Sequence, residues 1–165
     1  MPAYNYTLYL DTTAPQVDND KISAEPDSTL IYPASSNVIN GLGEDYVGYF
    51  WTEVEGFSRF GSYVGNGTAD GPFVYCGFKP AWVLIKWATG TDHWFMCDSS
   101  RSPVNPITNR LDASDFIEEI ETFTSMDFLS DGFKIRTSNG QINTSGGSFI
   151  FSAFAESPLK YANAK

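Results

Sequence analysis

A chain of 165 residues, 42% apolar and 16% aromatic, can bury roughly 70% of the surface its unfolded form exposes, so a single domain needs no staples. Twenty Asp and Glu against ten Lys and Arg give a formal charge of −10, which excludes a nucleic-acid partner: phosphates would be repelled, and no basic stripe exists to release their counterions. The same charge disfavours adhesion to anionic membranes, and no apolar run approaches spanning length, so no membrane insertion is expected.

The opening YNYTLYL alternates Tyr4, Tyr6 and Leu8 with Asn5, Thr7 and Tyr9, a strand pattern. A polar stretch punctuated by Pro15 and Pro26 follows, too poor in large apolar residues to build a core. Residues 1–44 therefore read as an N-terminal arm with one strand, and residues 45–165 as the main domain. YVGYFW (46–51), FSRFGSYVG (57–65) and PFVYCGF (72–78) are expected strands, separated by the turn pairs Asn66-Gly67 and Asp70-Gly71. AWVLIKWA (81–88) is apolar on both faces, as in a buried strand, and HWFMCDSS (93–100) follows it. Asp112 to Glu121 is expected as a short helix capped by Asp112. GFKIRTS (132–138) alternates Phe133 and Ile135 inward with Lys134 and Arg136 outward, Asn139-Gly140 supplies a two-residue hairpin turn, and QINTS returns. SFIFSAFAE (148–156) closes the chain as a strand with Phe149, Phe151, Ala153 and Ala155 on one face. These elements assemble into an all-β fold, an antiparallel two-sheet β-sandwich of jelly-roll-like kind.

Reactive constellations are scarce. The one histidine, His93, lies in an aromatic strand, and neither a GxSxG elbow nor a Cys-His pairing is present, so no enzyme activity is expected. Cys76 and Cys97 match no metal spacing and read as buried free thiols of a protein folded in a reducing cytoplasm. Two carboxyls across a cleft would serve glycoside hydrolysis, and Asp112, Asp115, Glu118, Glu119 and Glu121 are the candidates, though a solvated face explains such a run. Asp70-Gly71 and Asp131-Gly132 could ligate calcium but lack the ladder of a calcium loop; turn formation explains both, and no metal or other cofactor is expected. The sequons at Asn66 and Asn143 read as turn chemistry. Trp51, Trp82, Trp87 and Trp94 are candidate glycan or subunit contacts, with Trp82 and Trp87 on opposite faces of one strand by parity.

Four blocks in order, VEGFSRFGSYVGNG, DGPFVYCGFKPAWVLIK, DFLSDGFKIR and FSAFAESP, carry a resemblance covering about residues 45–158. The chain resembles β-rich domains found at the C-terminal end of bacteriophage tail-fibre-like proteins. That resemblance implies a place in the virion after synthesis in the bacterial cytoplasm, and it assigns no site residues. A tail-fibre or tail-tip component is expected, docking on other virion proteins through Tyr4, Tyr6, Leu8 and Tyr9, forming a homotrimer and contacting a host surface glycan. The alternatives are a capsid decoration or head-fibre protein and, third, a glycan depolymerase acting through residues 112–121.

Overall fold

The computed structural model describes residues 6–19, 21–35, 37–121 and 123–156. The chain divides into two compact units, residues 1–9 with 16–51, and residues 10–15 with 52–165. The boundary expected from the sequence falls at residue 44. The body begins at Thr52, and it also takes in Leu10–Pro15.

Among its described residues the thin first unit holds four short strands where one was expected: β1 (Tyr6–Thr7), β2 (Val17–Asp18), β3 (Ile22–Ala24) and β4 (Tyr32–Pro33). They form two separate antiparallel pairs, β1 with β2 and β3 with β4. None of the unit's described residues is buried. Polar contacts fix its turns instead. Asp27 receives the N–H groups of Thr29 and Leu30 and the hydroxyls of Thr29 and Tyr32. Those donors hold its fully exposed carboxyl at about 2.

The body is an antiparallel two-sheet β-sandwich, as expected. Its strands are β5 (Ser58–Val64), β6 (Phe73–Tyr75), β7 (Pro80–Trp87), β8 (Phe95–Asp98), β9 (Leu111–Asp112), β10 (Met126–Leu129), β11 (Gly132–Ile135) and β12 (Ser148–Ala155). One sheet runs β5-β12-β7-β8-β9 and the other β10-β11-β6. The final strand is central because Phe149, Phe151 and Ala153 pair on one side with Tyr63, Gly61 and Arg59, and on the other with Trp87, Ile85 and Val83. Their side chains meet Phe133 and Ile135 of the second sheet. Phe133 packs edge-on against Phe151 at 5.4 Å, and Tyr63 stacks on Phe149 at 5.1 Å. Phe133, Ile135, Phe149 and Ala153 are fully shielded from water.

Three expected elements differ, each for a traceable reason. Asn139-Gly140 makes no hairpin turn; Asn139 keeps an extended backbone and caps a helical turn, α1 (Gly140–Asn143), by accepting the Gln141 N–H at 2.8 Å. The turn forms because Ile142 and Asn143 are buried, with the Ile142 carbonyl accepting the Tyr63 hydroxyl at 2.7 Å. Residues 112–121 form no helix: Leu111 and Asp112 are drawn into pairing with β8, and an Arg110–Ile120 bridge closes the intervening residues as a loop. Tyr46–Trp51 is not a strand, since none of the described residues pairs with it.

Candidate functional site

The parity argument for the tryptophans holds. Trp87 packs inward, its ring stacked 5.9 Å from Phe149, while Trp82 faces outward into a cluster with Phe154 at 5.6 Å, joined by Phe57 and Phe60. Trp94 is half-buried, and its backbone N–H donates to the Ser114 hydroxyl at 3.2 Å. Trp51 alone of the four is largely exposed, at 66%, stacked beside Tyr49. The three of the body form no common platform, since two are packing residues of opposite faces and one lies by the 113–115 turn; Trp51 belongs to the thin unit. Of the arm residues, Tyr6 pairs with Asp18, Leu8 and Tyr9 are half-buried, and Tyr4 lies outside the described residues.

The acidic segment is divided in its roles. Asp112 is a structural group whose carboxylate lies 3.3 Å from the Arg110 guanidinium and accepts from Gln141 Nε2 at 3.3 Å. Burial raises its pKa, against the pull of Arg110 and His93. Glu119 accepts from Asn109 Nδ2 at 2.7 Å, and Asp115 lies 3.6 Å from His93 Nε2, whereas Glu118 and Glu121 point into solvent. Ser114, His93 and Asp115 together have the composition of an acyl-transfer triad, with Ser114 Oγ 3.3 Å from His93 Nδ1. Both ring contacts are longer than a nucleophile–base hydrogen bond, and Ser114 Oγ is already the acceptor of the Trp94 N–H. The trio ties the 113–115 turn to the start of β8. Among the described residues no cluster of three His, Cys, Asp or Glu could hold a metal ion.

The turn glycines are packing residues too. A Cβ on Gly132 would stand 2.1 Å from the Val74 carbonyl, and one on Gly71 would stand 2.7 Å from Ile135 Cβ, so close strand approach explains both Asp-Gly pairs. The carboxylate of Asp70 is bound by Lys134 at 2.7 Å. The two sequon asparagines bond each other: Asn143, fully buried, donates to Asn66 Oδ1 at 3.1 Å and to the carbonyls of Thr68 and Thr137. A glycan on Asn143 would sever that network.

Two cations escaped the sequence reading. Lys86 lies fully buried on the outward side of β7, and its ammonium is ringed by the carbonyls of Thr13, Trp87, Gly90 and Asp92 at 3.0–3.4 Å. The Thr13 carbonyl also takes the Asp92 N–H, so Leu10–Pro15 is strapped to the sheet at this point. Burial lowers the Lys86 pKa, partly offset by Asp92. Arg110 is sandwiched with its guanidinium carbon 4.6 Å from the Phe123 ring and 5.3 Å from Phe95, and it donates to Gln141 and Asp112. The available signal for Lys86 was a charge inside a strand apolar on both faces.

The exposed surface is where unspent aromatic area remains. On the body, β5 and β6 are the edge strands of their sheets, and between them opens a cleft of about 240 Å³ lined by Arg59, Ser62, Tyr63, Phe73 and Tyr75. Phe73 and Tyr75 are 45% and 62% exposed, and Arg59 is held by Glu53 at 2.9 Å. The cysteines offer no reactivity: Cys76 is pushed up to about 12 by burial, and Cys97, also buried, is pushed higher.

Fold and site together define an antiparallel β-sandwich module whose buried charges brace its own backbone and whose aromatic surplus faces outward. The chain belongs to the family described as "Domain of unknown function (DUF7483)", whose profile matches residues 1–158. The match takes in the thin unit as well as the four blocks of the body. No curated protein and no solved structure matches the chain.

Proposed function

We propose that the chain is a structural protein of a bacteriophage particle, a tail-fibre or tail-tip component that works by assembling with other virion proteins and touching the host surface. The reading rests on one contrast. The body's buried charged groups, Lys86 and Asp112, and the half-buried Arg110 are bound to its own backbone and side chains, whereas Tyr49, Phe50, Trp51, Phe73 and Tyr75 are turned outward. A molecule of that kind is suited to contact rather than to turnover. The resemblance of its four sequence blocks to tail-fibre-like proteins supports the same reading.

Within it, the cleft between β5 and β6 is the host-contact site. The Tyr75 ring offers a face to the C–H surface of a sugar, and the Arg59–Glu53 pair beside it offers donors and acceptors to hydroxyls. Immunogold labelling of the encoding phage with an antibody against the body is expected to mark the tail. A virion free of label, or one labelled across the capsid shell, overturns the assignment. Substituting Tyr75→Ala is expected to lower adsorption of the purified protein to host cells at least tenfold while leaving its melting temperature unchanged; equal adsorption removes the cleft from the argument.

A further inference from the structure

Tyr46–Trp51 is the place where local sequence preference and the single chain disagree most. β-branched and aromatic residues favour a pleated, paired backbone, yet the segment joins no sheet, and Val47–Trp51 make no backbone hydrogen bond among the described residues. Its side chains are already sorted as along a strand. Tyr49 and Trp51 stack, one residue skipped, at 6.2 Å, and the Phe50 ring lies over Gly48, where a Cβ would stand 2.8 Å away. Odd and even positions thus occupy opposite sides.

We propose that Tyr46–Trp51 is an intermolecular strand, pairing antiparallel with the same segment of a second copy of this chain. The exposed area fits such a partner. Tyr46, Val47, Tyr49, Phe50 and Trp51 are 45%, 81%, 75%, 71% and 66% exposed. With aromatic side chains covering 150–250 Å² each, the segment exposes on the order of 600 Å², part of which a paired strand would cover, against the roughly 800 Å² that each side of a stable interface contributes. The segment also complements itself. A twofold axis through Tyr49 sets Val47 opposite Trp51 and Gly48 opposite Phe50, so that those two rings each meet a smaller residue, while Tyr49 meets its own copy on the axis. At the rim the same register brings Asp45 opposite Glu53, a like-charge pair that salt screens. Pairing would satisfy the backbone groups on the facing edge of each strand and bring the rings of the two copies together across it. The inference is independent of the virion reading, because it concerns the purified chain alone.

Light scattering on the full chain tests it. The expected mass is twice the 18.2 kDa of one chain, with association tightening as salt is raised. A single-chain mass at the highest soluble concentration, or a three-chain mass, overturns the twofold pairing. Tyr49→Pro, which removes the central N–H, is expected to return the protein to single chains without changing the thermal unfolding of the body, whereas Phe116→Glu, at an exposed loop position, leaves the pair intact. Mild oxidation of Tyr49→Cys is expected to give a disulfide-linked dimer within the Cα separation that such bonds need, since Cys76 and Cys97 are buried and cannot compete. A Tyr49→Cys protein that dimerises yet never cross-links refutes the register.

Discussion

In the body, Phe133, Phe149, Ile85 and Phe95 are shut away from water, and even the cation of Lys86 is enclosed; in the thin unit, every described residue keeps some contact with solvent. The first region is held by burial of side chains from distant parts of the chain, joined across β5, β12 and β7. The second is held by near neighbours, such as the Asp27 turn and the Tyr46 hydroxyl that takes the Gly41 N–H and donates to the Asn37 carbonyl. Two-stranded pairs of that size are marginal alone in water. Stability and availability for contact are therefore separated along the sequence, with aromatic residues serving opposite ends in the two places.

Substitutions in the body should break that contrast most visibly. Phe149→Ala removes a ring wedged between Tyr63 and Trp87 and is expected to cost about 3–5 kcal/mol of unfolding free energy in urea titration. A loss below about 1 kcal/mol would mean that the two sheets are not closed over a packed interior. Lys86→Met keeps the stem and deletes the ammonium, leaving the Thr13, Trp87, Gly90 and Asp92 carbonyls without their shared donor; about 2–4 kcal/mol is expected. An unchanged melting curve would show that water can replace the ammonium there.

The smallest effect belongs to the thin unit. Asp27→Asn should leave the melting of the body where it is, yet speed hydrogen exchange at the Thr29 and Leu30 amides. The Asp27 carboxyl is lowered from 3.8 to about 2, so its contribution to the turn is complete above the higher value. That contribution is lost as pH falls through the lower one. An NMR titration of its side-chain carbon should place the midpoint near 2, and a midpoint near 3.8 would dissolve the turn network.

The sandwich was legible because period-two alternation and turn pairs are local signals that the tertiary structure leaves intact. Phe133 and Ile135 inward, Phe149 with Phe151 and Ala153 on one face, and the opposed Trp82 and Trp87 all follow from alternation alone. What alternation cannot report is the partner of a group. Asn139-Gly140 has the composition of a hairpin turn, but the deciding fact is that Asn143 finds Asn66, Thr68 and Thr137, and no local pattern encodes that meeting. Asp112 reads as a helix cap until Arg110 and Gln141 are seen to claim it. The aromatic site was half legible: the tryptophans drew notice by their size, while Phe73 and Tyr75 matter because the edges of two sheets happen to face each other.

The strap at Leu10–Pro15 has a consequence for how this molecule can vary. Because the chain enters the body there and rejoins it at Thr52, the residues between are an excursion secured at both ends. Closing such a loop costs only about 0.6 kcal/mol more for each doubling of its length. Lengthening or shortening the excursion is therefore expected to leave the melting of the core nearly where it is.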